Sequence, residues 1–149
     1  MRLEKLVLEN FRAIGSAELE LKGKSTVIFG NNGTGKSSIL RSINLLYANI
    51  INQIVNRKEL KQSYAIKLED IKYGRKETTI TAQIDFDGLQ KTYYKKMIRN
   101  TGKSSYDATS LKEIAEIFHE KYISDEEQKN IAIFVFFLGL FFFFFFFET

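Results

Sequence analysis

The chain has 149 residues, 44% of them hydrophobic and 27% charged, with a formal net charge of +4. That length supports one domain with a modest core, and the mild basic excess permits nucleic-acid contact without arguing for it. Cys and Pro are both absent, which excludes a disulfide framework and a thiolate metal site. The opening Met1-Arg2-Leu3-Glu4-Lys5 has no apolar signal-peptide core, so a cytoplasmic protein is expected.

Residues 2–8 alternate loosely, with Leu6 and Leu8 on one face, and predict a first strand that ends near Asn10. Ala17, Leu19 and Leu21 alternate with Glu18, Glu20 and Lys22, the pattern of a half-buried strand antiparallel to the first. Gly23-Lys24 makes a turn. Thr26, Val27, Ile28 and Phe29 form a short apolar run that reads as a buried strand. A helix is expected from Lys36-Ser37, because Ile39, Ile43, Leu46, Tyr47, Ile50 and Ile54 recur at three- and four-residue spacing. The pattern fades near Asn56 into a polar stretch, 57–63.

Tyr64, Ile66 and Leu68 alternate with Ala65, Lys67 and Glu69, which suggests a strand over 64–73. Thr78 to Phe86 alternates strongly, with Ile80, Ala82, Ile84 and Phe86 on one side. Asp87-Gly88 is a hairpin turn signal, since a tight type I′ turn needs positive φ at both central residues. The returning strand runs from Leu89 to Ile98, and 99–107 reads as a polar loop. Ser110-Leu111-Lys112-Glu113 has the form of a capping box at a helix start. Leu111, Ile114, Phe118 and Tyr122 would make that helix's buried face.

One segment carries chemistry. Gly30-Asn31-Asn32-Gly33-Thr34-Gly35-Lys36-Ser37 matches G-x-x-x-x-G-K-[ST] in full. Glycines let the backbone curl so that successive N–H groups point at one phosphate. The helix behind it adds about half a positive charge at its N-terminus. Lys36 is a mobile cation for the β- and γ-phosphates, Ser37 can ligate Mg²⁺, and Ser38 can reach the α-phosphate. Gly102-Lys103-Ser104 repeats three of the letters, but the position five before Gly102 is Met97, so it is a loop and not a second site.

Asn10-Phe11-Arg12 after a first strand, then an antiparallel strand, then the loop ending Gly35-Lys36-Ser37-Ser38, resembles the N-terminal lobe of ABC-type, SMC- and RecF-like heads among the AAA-family ATPases. The likeness extends to bacterial DNA-repair and anti-phage defence ATPases, such as the Septu-like, retron-associated and overcoming-lysogenization-defect proteins. It covers residues 1–110 and is densest over the first 45. The resemblance implies an α/β P-loop NTPase lobe, with a mixed sheet and an antiparallel hairpin, that binds ATP with Mg²⁺. It implies that Asn32 lies at the phosphates or near them and that Arg12 lies near the nucleotide. It implies ATP hydrolysis by the full-length family, a homodimer through the heads, DNA as a partner and a nuclease effector. Membrane contact is not expected. Ser37 followed by Ser38 favours this group over transporter subunits, which more often have Thr after the P-loop Lys.

The departures are as informative. No L-S-G-G-like signature segment occurs, and no apolar strand ends in Asp-Glu. Ile123-Ser124-Asp125-Glu126 is the nearest Walker B candidate, but Lys121-Tyr122 precedes it. The chain reads as a first lobe without its second, and by itself is expected to bind ATP without enzymatic turnover. Gln83 is a weak candidate for a water-contacting glutamine and fits a solvated strand face better. His119 reads as a surface residue. Lys91, Lys95, Lys96, Arg99 and Lys103 surround Tyr93 and Tyr94, a pattern that can bind single strands but also fits a solvated hairpin.

The lobe is expected to occupy 1–130. Beyond it, Ile131 to Phe147 has no charged residue and ends in seven consecutive Phe. It sits at the lower limit for crossing a bilayer. A truncated or frame-shifted end explains the run better than a tail anchor or a buried strand. Two other functions remain open on sequence alone: the nucleotide-binding subunit of a membrane transporter, and a sensor that binds ATP without hydrolysing it.

Overall fold

In a computed structural model, residues 1–56, 65–86 and 88–122 are described. The strands are β1 (Arg2–Phe11), β2 (Ile14–Glu20), β3 (Glu77–Phe86), β4 (Leu89–Ile98) and β5 (Lys103–Tyr106), and the helices are α1 (Lys36–Asn56) and α2 (Ala108–Tyr122). The strands form one sheet in the order β2-β1-β3-β4-β5, and every pairing is antiparallel. The α/β lobe expected from sequence is present, built from hairpins on one side of α1 and α2.

Alternation decides which sheet face is dry. Leu8 pairs with Ala17 on one side and Ile80 on the other, and Ala82 pairs with Leu6 and Tyr93. The side chains of Leu6, Leu8, Ile80, Ala82, Ile84, Phe86 and Tyr93 therefore share one face, and none retains any exposure. Leu45, Leu46 and Ile50 of α1, with Leu111 and Ile114 of α2, complete that core. Each large apolar side chain placed there contributes about 1.5–3 kcal/mol. On the opposite face, Lys96 pairs with Glu77 at 2.9 Å and Lys5 with Glu18 at 2.6 Å, exposed pairs worth about 1 kcal/mol or less.

Several expectations fail in instructive ways. Thr26 to Phe29 is not a strand: it pairs with none of the described strands, and Val27 and Phe29 are 84% and 89% exposed. The edge strands β2 and β5 would each accept a further strand, but Thr26 to Phe29 pairs with neither. The 64–73 segment is not a strand either. Leu68–Asp70 forms a 3-10 turn, and a single bridge joins Phe11 to Ile71. Tyr64 lies outside the described residues. Residues 103–106, read as loop, form β5 because Lys95 to Ile98 offers a free ladder edge.

The cap of α2 is Asp107 and not Ser110: its carboxylate accepts the Ser110 amide at 3.0 Å and the Ser110 hydroxyl at 2.6 Å. Those bonds, led by the Ser110 hydroxyl, hold the Asp107 carboxyl below its ordinary range. Glu113 instead takes Lys91 at 2.5 Å. The segment 57–63, the residue Asp87 and everything from Ile123 onward, including the Walker B candidate and the Phe-rich end, lie outside the described residues.

Candidate phosphate-binding site

The site begins where β2 gives way to the exposed segment 22–34. The loop takes its shape from glycines at positive φ: Gly30 at 147°, Gly33 at 85° and Gly35 at 95°. Gly35 matters twice, because a Cβ there would stand 3.2 Å from Cγ1 of Ile14. The loop is thus packed against the β1–β2 turn. Thr34 ties the curl internally, its hydroxyl donating to the Asn31 carbonyl at 2.9 Å.

Helix α1 starts at Lys36, as expected, and has no acidic residue in its first turn. With no acid there, no side-chain charge in the first turn offsets the helix's positive end, which faces the loop. Lys36 folds back over the cradle, and its ammonium donates to the Gly30 and Asn31 carbonyls at 2.6 Å each. Asn31, Asn32, Gly33, Thr34 and Ser37 are exposed, whereas Ser38 is only 7% exposed. The Ser38 and Ile39 amides both bond the Gly35 carbonyl, at 2.9 and 3.0 Å, which locks the first turn onto the loop.

These residues fit a polyphosphate: a glycine curl, a cation able to swing, a helix start without acidic residues and an exposed hydroxyl beside it. Ser37 could take one position on a metal ion. Among the described residues no group of three or more His, Cys, Asp and Glu could hold a metal ion.

Arg12 sits in the β1–β2 turn two residues before Ile14, with φ at 53°. A left-handed Arg is strained. Its amide donates to the Asp70 carbonyl at 2.7 Å, and its Nε lies 3.6 Å from the Asp70 carboxylate. Arg41 of α1 grips the same carboxylate with both ends of its fork, at 2.8 and 3.0 Å, and the Lys67 amide adds a third bond at 3.1 Å. Burial would raise the Asp70 pKa, but the Arg41 hydrogen bond, the Lys67 amide and the charges of Arg41 and Arg12 outweigh it and hold the group ionised below its ordinary range. Sequence reading did not find Asp70 or Arg41. The acid pair Glu69-Asp70 and an Arg five positions past Lys36 were visible, but only the fold brings them together.

The other candidates scatter. Gln83 is exposed on the sheet's outer face, opposite Lys5 and Thr92. His119 is half-buried and not on the open surface, its Nε2 lying 3.0 Å from the Ile54 carbonyl near the end of α1. Gly102-Lys103-Ser104 leads into β5. The basic stretch on β4 is not one solvated face. Tyr93 and Lys95 point into the core, Tyr93 accepting a bond from Asn49 at 2.8 Å and Lys95 donating to the Leu45 carbonyl at 3.1 Å. Burial pushes the Lys95 amine down to about 7.

A family model described as the AAA ATPase domain matches residues 1–135. The chain is 31% identical over 111 residues to the DNA double-strand break repair Rad50 ATPase of Sulfolobus acidocaldarius, covering 74% of this chain and 11% of that protein. It is 28% identical over 118 residues to the DNA replication and repair protein RecF of a Geobacter species, covering 79% of this chain and 30% of that one. It therefore spans less than a third of the length of these curated relatives. The SMC head domain from Thermotoga maritima shares the fold, with a TM-score of 0.53 at 23% identity, covering 78% of this chain and 41% of that one. No helix among the described residues is long and apolar enough to cross a membrane.

Proposed function

The chain belongs to the AAA ATPase domain family, and from that premise we propose that it binds ATP with Mg²⁺ on the loop Gly30 to Ser38, as one lobe of an ABC-type head. One observation carries the reading: Lys36 lies folded onto the Gly30 and Asn31 carbonyls at the mouth of a glycine curl that opens an acid-free helix start. A polyphosphate offers that ammonium better acceptors than two carbonyls, because a charged acceptor makes a hydrogen bond roughly twice as strong. The loop amides and the N-terminus of α1 bind the phosphates, Asn32 lies beside them, and the Ser37 hydroxyl takes a Mg²⁺ position. Ser38, buried, fixes the first turn through its amide bond to the Gly35 carbonyl, and its hydroxyl is the group for the α-phosphate. Arg12 contributes a second cation from the β1–β2 turn.

The Rad50 and RecF relatives support DNA repair as the setting; a dimer through the heads, DNA as a partner, a role in anti-phage defence and a nuclease effector extend that reading. The ATP-binding lobe runs over 1–130, and 131–149 is a separate apolar segment.

Calorimetric titration of the full chain with Mg-ATP tests the site. Lys36→Ala is expected to weaken binding by about 1.5–3 kcal/mol, the worth of a hydrogen bond to a charged group. Equal affinity in the two proteins overturns the assignment.

A further inference from the structure

We propose that Asp70 is a positioning residue for nucleotide binding, fastening the P-loop helix to the β1–β2 turn and presenting the Arg12 guanidinium to the phosphates. The proposal rests on the ATP site described above and adds a residue that never touches the ligand.

Geometry supports it from three sides. Arg41 lies five residues into α1 from Lys36, about 7.5 Å along the axis, and helical side chains lean back toward the N-terminus. The Arg41 fork therefore meets Asp70 close to the level of the loop. From the other side, the turn bearing Arg12 is wedged against the same loop by Ile14, whose side chain fills the space a Cβ on Gly35 would need. From beneath, the 3-10 turn Leu68–Asp70 is pinned to the end of β1 by two backbone bonds, Arg12 amide to Asp70 carbonyl at 2.7 Å and Lys72 amide to Asn10 carbonyl at 2.8 Å.

Asp70 is fully buried and is the carboxylate that both Arg41 and Arg12 approach, while Glu69 acts on Arg41 through charge alone. Arg41 occupies both carboxylate oxygens, and the Lys67 amide shares the second. Arg12 is left at 3.6 Å with its side chain 42% exposed. Its guanidinium is thus held in place by charge yet has donors to spare, the state required of a group that must meet an anion. The positive φ of Arg12 fits this use, since backbone strain that the surroundings enforce gathers at sites.

The test is a double-mutant cycle read by calorimetry with Mg-ATP on the full chain, beside thermal melting without nucleotide. Asp70→Asn and Arg12→Ala are each expected to weaken ATP about tenfold, one charge-assisted contact, and the double variant no more than either. Such non-additivity is beyond a merely structural role. Wild-type affinity in a folded Asp70→Asn protein, or losses that multiply in the double variant, overturn the proposal.

Should Asp70→Asn not fold, Arg41→Gln serves instead. It frees the carboxylate to draw Arg12 away from the loop, so affinity falls when Arg12 is present and is unchanged in the Arg12→Ala background; no loss with Arg12 present overturns the proposal. Lys36→Ala separates the two layers: if it binds ATP as the wild type does, the site itself is wrong, whereas its failure to bind beside an unaffected Asp70→Asn condemns the positioning role alone.

Discussion

Between sheet and helices, Leu6, Leu8, Phe11, Leu46, Ile50, Ile80 and Phe86 are wholly out of solvent, whereas from Lys22 to Thr34 no residue is buried and two large apolar side chains face water. The two regions use the backbone in opposite ways. In the sheet, N–H groups are consumed by the ladder. In the cradle some must remain uncommitted, because a phosphate is bound by amides that nothing else has taken. The glycine curl from Gly30 to Gly35 serves that end, whereas the lack of a strand over Thr26 to Phe29 is not required by it. Stability should reside in the first region and affinity in the second, and the two should come apart under mutation.

The sharpest break of that division would come from the core. Leu46→Ala removes a fully buried side chain packed between α1 and the sheet. It is expected to cost about 2–5 kcal/mol in urea unfolding while the folded protein binds Mg-ATP as before. An affinity loss at temperatures where the variant is still folded would show that core and cradle are one unit.

Lys95 puts a polar group in the apolar region, and it titrates accordingly. Burial lowers its folded-state pKa to about 7 from the ordinary 10.5. Between those values the unfolded chain holds the extra proton, so stability rises with pH from about 7 upward; below 7 both states are protonated and the charged amine stays buried at a penalty. Lys95→Met should stabilise the protein by about 1–4 kcal/mol at pH 6, with the gain shrinking toward pH 9. Urea midpoints at three pH values measure it. A gain that does not change with pH would mean that Lys95 is not titrating in the core.

In the cradle the expectation reverses. Lys36→Ala, which should lose ATP, touches only two exposed carbonyl contacts, so its melting without nucleotide should stay within about 0.5 kcal/mol of wild type.

How far sequence could see follows the same line. Alternation located β3 and β4 and every core residue from Ile80 to Phe86, because a two-residue period and a one-sided core are local properties. It could not assign Lys95, since the run from Thr92 to Met97 offers polar and apolar residues on both parities; only the burial of Tyr93 and Met97 in the core decides it. The motif located the loop and the first residue of α1, because the spacing of glycines, Lys36 and Ser37 is itself the geometry. It could not reveal that Thr26 to Phe29 lacks a ladder, that β5 forms from Lys103-Ser104-Ser105-Tyr106, or that Asp70 joins Arg12 and Arg41. Each depends on a partner more than a few residues distant.

Arg12 stands at the seam of the two regions and allows the finest separation of backbone from charge. Its left-handed φ of 53° costs a side-chain-bearing residue about 1–2 kcal/mol relative to glycine. Glycine returns part of that, about 0.5–1 kcal/mol, through the greater freedom of its unfolded chain. Both Arg12→Ala and Arg12→Gly remove the guanidinium and its loose contact with Asp70; only the glycine variant also removes the strain. The glycine variant should therefore be the more stable of the two by about 0.5–1 kcal/mol in thermal or urea unfolding. Their ATP affinities should fall equally, because the phosphates lose the same cation in both. Equal stability would mean that the turn relaxes once the Arg12–Asp70 contact is gone, so that the charge pair enforces the backbone. Unequal affinity would mean that the shape of the turn, acting on Gly35 through Ile14, matters to the nucleotide more than the guanidinium does.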